Sequence, residues 1–432
     1  MMMTLEEKLR QLQQAAAQST QERELARQLE TLSRHERRRQ KLPAERAPFG
    51  IERYVDGEVR RNDWGEFFLA QQALPFGRPY GKYRIGEVST ADLSGLDIFL
   101  AGSKLPAVSS TVFLDTETTG LAGGTGTCAF LIGIAAAEGS ALRVRQFFLR
   151  DFKDEKAALG ALAEALEPYE AIVTFNGKSF DLPLLETRYT LARLPSPFRR
   201  LLHLDLLHPA RRMWKLRLER CELKRLEAEI LGVRRQGDVD GAEIPSIYFD
   251  YLRTGEARGL QPVFFHNGLD LVSLAALSAE LARVIAAGLA DEETDSSLDL
   301  FSLSRIFERA QNHKAAVSAC ARALRAGLPD AVEPHALWRL AGQHKRQARY
   351  DAAIEIWVEI ARRGSAFSVE ACEELAMHFE HRARDLAQAL EFTEVALGRL
   401  RESAPSRISI ERVTHRLKRL RRKSSRAGAS PA

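Results

Sequence analysis

The chain of 432 residues has little that would tie it to an oxidising compartment, a membrane or a thiolate metal site. Its four cysteines, Cys128, Cys221, Cys320 and Cys372, lie far apart with no Cys-x-x-Cys pair, which argues against a disulfide framework or a zinc cage. They read most simply as buried apolar residues. No run approaches 18 apolar residues, and the opening Met1-Met2-Met3-Thr4-Leu5-Glu6-Glu7-Lys8 lacks the apolar centre of a secretory signal. The expected location is therefore the cytoplasm, with no membrane partner. An apolar share of 45% and a charged share of 28% are ordinary for a globular protein, and the length allows two or three domains with sizeable cores.

Nor is there a general excess of positive charge, although the net charge is +5. From Ser403 onward nine Lys and Arg face one Glu, a balance of +8, so residues 1–402 carry −3. A second basic window, 193–225, sets ten Lys and Arg against Asp205, Glu219 and Glu222. Such a window either lines a phosphate-binding surface or is a solvated helix face.

Residues 4–42 have leucines at helical spacing, and Pro43 and Pro48 mark a linker, so 1–45 is an N-terminal helical segment. Residues 46–107 read as an irregular arm, with Trp64, Phe67, Phe68, Phe76, Tyr80 and Tyr83 among Gly and Pro as aromatic anchors on a neighbouring domain. Three strand-like runs follow, 111–114, 129–136 and 142–149, separated by turn-forming stretches, the first of them Gly120 to Gly126. They predict an antiparallel meander. Helix is expected over 155–166, strand over 171–175, helix over 181–194 and strand over 201–206, with further helices at 223–231 and 269–285. Three meandering strands, then helix, strand, helix and strand, is the order of a ribonuclease H-like α/β fold, a mixed sheet flanked by helices over 108–290. From 296 to 402 the text turns to Ala- and Leu-rich helices. Aligned Ala316, Ala353 and Ala389 give spacings of 37 and 36, near the period of tetratricopeptide-like helix pairs, the other reading being an unrelated helical bundle. Residues 403–432 are a basic tail that starts with possible helix and ends disordered from about Ser424.

The chemistry gathers on Val112-Phe113-Leu114-Asp115-Thr116-Glu117-Thr118-Thr119-Gly120-Leu121. An apolar strand ends there in two carboxylates at i and i+2, which share a face. Asp181 follows the strand and turn Thr174-Phe175-Asn176-Gly177-Lys178-Ser179, and Asp270 enters a helix in His266-Asn267-Gly268-Leu269-Asp270. Four acids at strand mouths and helix starts repel one another unless cations neutralise them, and two Mg²⁺ or Mn²⁺ ions are the usual answer. His266, four residues before Asp270, shares its face if both are helical; it is either a general base or a helix residue hydrogen-bonded to the turn. Asn176 and Lys178 either touch substrate phosphate or serve the turn. Thr118 and Gly120 would let the strand end approach a substrate terminus. Asp205 reads as satisfying a loop, and Phe175 and Phe180 as core.

The strings FLDTETTGL, TFNGKSFDLP and HNGLDLVSL resemble the three motifs of the DEDD exonuclease superfamily. More closely, the chain resembles the YprB-type family of bacterial ribonuclease H-like proteins, over about residues 108 to 290. The resemblance implies that Asp115, Glu117, Asp181 and Asp270 are metal ligands and that cleavage runs 3′ to 5′. It departs from the pattern at His266, because a His usually stands five residues before the last Asp and a Tyr four before it. The resulting expectation is a two-metal nuclease acting on single-stranded DNA or RNA ends, with a protein partner on the helical repeats. The alternative is a nucleic-acid-binding adaptor with a weak or vestigial site, and either could serve a larger repair or RNA-processing machine.

Overall fold

The structure is a computed structural model that describes residues 50–120, 126–292, 296–364, 366–402 and 407–427. The helical reading of 4–42, the linker prolines Pro43 and Pro48, and most of the Gly120 to Gly126 stretch lie outside the described residues.

The meander forms as its turns dictate. β5 (Thr111–Thr118) pairs antiparallel with β6 (Ala129–Glu138), which pairs with β7 (Ala141–Phe148) across a two-residue turn whose Gly139 has φ +60°. β8 (Ala171–Thr174) adds to β5 in parallel and β9 (Leu202–Asp205) to β8, with α2 (Glu155–Leu166) and α3 (Asp181–Ala192) in the connections. Residues alternate between two cores. Val112, Leu114 and Ile172 face the side of Tyr189 and Tyr248, while Phe113 and Val173 face the side of Trp214 and Leu271.

The expectation of an irregular arm over 46–107 is corrected. β1 (Gly57–Asn62) and β2 (Gly65–Pro75) continue the sheet beyond β7, giving the order β1-β2-β7-β6-β5-β8-β9 among the described residues. Phe67, Phe68, Leu69 and Ala70 are all buried, and a strand covered on both faces has no alternation to read. The aromatic anchoring does occur: Phe68 meets Phe148 and Phe264 edge-on. Beyond a short hairpin, β3 (Pro79–Tyr80) with β4 (Tyr83–Arg84), comes α1 (Ile85–Ser89). Within that hairpin the Tyr83 hydroxyl donates to Glu280 at 2.5 Å.

After β9, α4 (Leu207–Leu218) leads to α5 (Leu223–Leu226), whose last residues widen into a π turn over Glu227–Leu231 that Gly232 ends at φ +71°. α6 (Ile244–Thr254) follows, then α7 (Gln261–Leu289). α7 starts eight residues before the expected Leu269, because Pro262 at its first turn suits a helix start. The stretch Arg258–Leu289 is long and apolar enough to cross a membrane, but 89% of its most apolar window is buried, which makes it a core helix.

The C-terminal region is helical: α8 (Ser297–Arg309), α9 (His313–Arg325), α10 (Glu333–Arg346), α11 (Tyr350–Arg363), α12 (Ser368–His378) and α13 (Leu386–Glu402). Ala316, Ala353 and Ala389 are fully buried early in α9, α11 and α13, where a small side chain lets helices approach. α8 joins this region to the sheet domain through an Arg217–Asp299 ion pair of 2.9 Å. The expected tail with a disordered end from Ser424 is also corrected, since α14 (Arg407–Ala427) is a continuous helix through the described residues. Val413, Leu417 and Leu420 bury its apolar stripe, and Glu380 accepts hydrogen bonds from Arg419 at 2.6 Å and Lys423 at 2.7 Å.

Candidate active site

β5 outlasts β8. The two strands pair only from Thr111 to Phe113, and beyond the end of that pairing Asp115, Thr116 and Thr118 line a cavity. Asp115 and Glu117 continue the face of Phe113, toward α7, and Thr116 continues the opposite face, toward α3. The carboxylate of Asp181, the first residue of α3, accepts a hydrogen bond from the Thr116 hydroxyl at 2.5 Å. From α7, Asn267 donates to Asp115 at 2.8 Å. That approach needs Gly133, the register partner of Asp115 on β6, because a Cβ there would collide with the Asn267 side chain. Asp270 lies one turn farther along α7.

Burial and neighbouring negative charge raise the proton affinity of Asp115 and Glu117. Burial, then the charges of Asp270, Glu117 and Asp181, hold Asp115 well above the usual carboxylate range. Burial and the charges of Asp270, Asp181 and Asp238 do the same to Glu117, against the opposing pull of Arg235. Asp181 is pushed up to about 6, chiefly by burial, although the Thr116 hydrogen bond lowers it.

His266 is buried on the same face of α7 as Asp270. Its Nε2 lies 3.6 Å from Asp270 and 3.9 Å from Glu117, while Nδ1 lies 2.7 Å from Asp238. Asp270 is therefore not at a helix start, and both readings of His266 kept a partner that the sequence did not reveal. Burial opposes the charge of Asp238, but hydrogen bonds from Lys224 and His266 hold it below the usual range. Arg235 contacts Asp270, lies 3.3 Å from Asp238, and grips Glu227 through Nε at 2.7 Å.

An open cavity of about 570 Å³ is lined by Asp115, Thr118, Gly120, Asn176, Phe180 and Asp181 among others. Asn176 adopts φ +66°, and its N–H donates to Asp205 at 2.7 Å, as the Lys178 N–H does at 3.0 Å. Asp205 thus ties down the turn. The Thr118 hydroxyl donates to the Gly120 carbonyl at 3.0 Å. Lys178 is exposed and does not line the cavity. The expectation that Phe180 is core is corrected: it is 54% exposed at the cavity's edge, whereas Phe175 is half-buried against the core. The basic window is partly consumed internally, since Arg200 donates to the Leu166 and Tyr169 carbonyls and Lys224 pairs with Asp238.

Sequence reading missed Thr116, Asn267, Gly133, Glu227, Arg235 and Asp238. Asn267 was within reach, three residues before Asp270 on one helical face. Arg235 and Asp238 sit in an irregular segment between Gly232 and α6, where no periodicity points at them.

The donor set is all carboxylate oxygen, which suits hard cations such as Mg²⁺ or Mn²⁺, and the mutual repulsion of Asp115, Glu117 and Asp181 suits a positive charge among them. Among the described residues no group of three His, Cys, Asp or Glu side chains stands close enough together to hold a metal ion as it is.

Residues 112–282 match the RNase_H superfamily. The chain is also 30% identical over 368 residues to the uncharacterized protein YprB of Bacillus subtilis (strain 168), an alignment that covers 83% of this chain and 87% of that protein.

Proposed function

Because the chain belongs to the family of YprB and carries a ribonuclease H superfamily domain, we propose that it is a metal-dependent nuclease that hydrolyses phosphodiester bonds at single-stranded DNA or RNA ends. The observation that carries this reading is the gathering of Glu117 from β5, Asp181 from α3 and Asp270 from α7 around Asp115, with Asp115 and Asp181 themselves lining the cavity. Cleavage from 3′ to 5′ rests on the motif resemblance alone. The assignment of 108–290 as the nuclease unit, of 296–402 as tetratricopeptide-like repeats, and of the cytoplasm as the place of work belong to the same proposal.

In this reading Asp115, Glu117, Asp181 and Asp270 hold Mg²⁺ or Mn²⁺. The bound metal supplies positive charge that acidifies a water and steadies the leaving oxygen. The chain's own residues do the rest. Asn267 fixes the Asp115 carboxylate and Thr116 that of Asp181, so the ligand oxygens are oriented beforehand. With Nδ1 held 2.7 Å from Asp238, His266 turns Nε2 toward the acids, where it is placed to take the proton of the attacking water. Thr118, Gly120 and Asn176 line the way in, with Lys178 at its outside for phosphate and Phe180 exposed where a terminal base can stack.

A second reading is an adaptor that binds nucleic acid without cutting it. It is favoured by the outer face of α14, where Lys418, Arg422 and Arg426 recur every four residues, exposed and with no acidic partner among the described residues. The test of both is incubation of the purified chain with 5′-labelled single-stranded DNA and RNA, with Mg²⁺, Mn²⁺ or EDTA, beside Asp115→Asn. Shortened products that need the metal and vanish in the variant support the nuclease. Equal products from both proteins, or binding without cleavage, sink it, and the latter outcome favours the adaptor.

A further inference from the structure

Arg235 is the one fully charged basic side chain buried within the acid cluster among the described residues, at 6% exposure. It arrives on the segment from Gly232 to Gly237, both at positive φ, which folds back under α7. Its planar fork meets three acids at once: Nε and Nη2 hold Glu227, Nη1 lies 3.3 Å from Asp238, and Nη2 also reaches Asp270 Oδ1. An arginine does not lose its proton in a protein, and its geometry is fixed, so this is a permanent charge in a permanent place. The socket behind it is built. Glu227 is 1% exposed on the π turn and also accepts from Ser273, whose hydroxyl pairs with that of Tyr80 at 2.5 Å.

The charges around it divide into two groups. Glu227, Asp238 and Asp270 share two cations, Arg235 and Lys224, the latter 2.9 Å from Asp238. Among the described residues Asp115 and Asp181 are in an ion pair with no cation, their side-chain donors being the neutral Asn267 and Thr116, and Glu117 has only His266 Nε2 at 3.9 Å and the more distant charge of Arg235. Asp270 has one oxygen on the guanidinium and only Oδ2 left to face His266.

We infer that Arg235 is a built-in cation that takes the place of one divalent ion at Asp270, so that the resting protein takes up a single divalent ion, held by Asp115, Glu117 and Asp181. This rests on the reading that the acid cluster binds divalent cations. It departs from the expectation of two ions in the free site, and it gives Glu227 and Arg235 a role that follows from neither motif nor fold: they set the number of ions.

The test is a Mn²⁺ titration of the full chain without nucleic acid, followed by calorimetry and by the loss of free-Mn²⁺ electron paramagnetic resonance signal. One ion per chain is expected for the wild type. Two are expected for Arg235→Gln/Glu227→Gln, which removes the cation together with its buried partner and frees Asp270. A wild type that binds two ions, or a folded double variant that still binds one, overturns the inference. Should the double variant fail to fold by circular dichroism, Asp270→Asn decides: it should leave one ion bound within about threefold of wild-type affinity, whereas Asp115→Asn weakens it by more than about tenfold. Equal losses in the two variants overturn the inference. A wild type that binds no Mn²⁺ fails differently, because it removes the metal-dependent reading itself.

Discussion

Around Asp270 and around Glu380 the chain buries carboxylates beside cations, and the two places differ in the sign left over. At the end of β5, six acids, Asp115, Glu117, Asp181, Glu227, Asp238 and Asp270, meet Arg235 and Lys224. At the π turn after α12, one acid, Glu380, meets Arg419 and Lys423, with Arg416 at 3.8 Å and His381 at 3.4 Å. Burial would raise Glu380, yet its hydrogen bond from Lys423 and the charge of Arg419 hold it below the usual carboxylate range. Asp115 has only the neutral Asn267 and Glu117 only the weaker opposing charge of Arg235, and both are raised. An arrangement that satisfies its buried acid needs nothing from outside and serves to dock a helix. One that leaves buried acids facing each other stays incomplete until a cation arrives, and its folding cost is repaid by what the cation does.

The largest effect expected is from Arg235→Gln, which strands Glu227 in the core and should cost about 3 to 5 kcal/mol in urea unfolding. A cost below about 1 kcal/mol would show that Glu227 is not held by this arginine. Next, His266→Ala should slow cleavage about 10²-fold with little change in strand affinity; a rate within a few-fold of wild type would return His266 to a structural part of α7. Glu380→Gln should cost about 2 kcal/mol, less than Arg235→Gln because its partners are half-exposed, and should speed proteolysis within α14 while leaving Mn²⁺ affinity untouched. Protection equal to wild type would mean that the apolar stripe alone docks the helix. The smallest change is expected from replacing Lys418, Arg422 and Arg426 by Gln. Three lost phosphate contacts would flatten the salt dependence of single-strand binding by about 2 in log–log slope, and an unchanged slope would move the binding surface to residues 193–225.

The meander, the two crossovers and the acids were legible because strand mouths and turn residues are local signals. Asp115 with Glu117 needs only a period of two, and Asn176-Gly177 only turn chemistry. The arm over 57–75 was not legible, because Phe67 to Ala70 are covered on both faces and the alternation that marks a strand is absent. The start of α7 was misplaced because Gly268 breaks the pattern in its middle. Arg235 and Asp238 were invisible for a different reason: their positions follow from how a loop of irregular backbone folds over α7, which depends on contacts far apart in the chain. Likewise the charge excess of residues 407–427 said nothing of which cations Glu373, Glu380 and Glu394 consume.

The buried acids at the end of β5 are short of a cation. Burial pushes Asp181 up from 3.8 to about 6, so the folded chain binds that proton more tightly than the unfolded chain. Without divalent ions, stability is therefore lost as pH rises from about 4 to about 6, and it stays lost above that range. A cation should restore it only where the acids are ionised. Thermal unfolding of the full chain with and without Mn²⁺, at about pH 7.5 and about pH 5, reads this directly. A stabilisation of several degrees at the higher pH, much smaller at the lower and absent in Asp115→Asn, is the result this account predicts. Equal shifts at both pH values, or the same shift in wild type and Asp115→Asn, would contradict it.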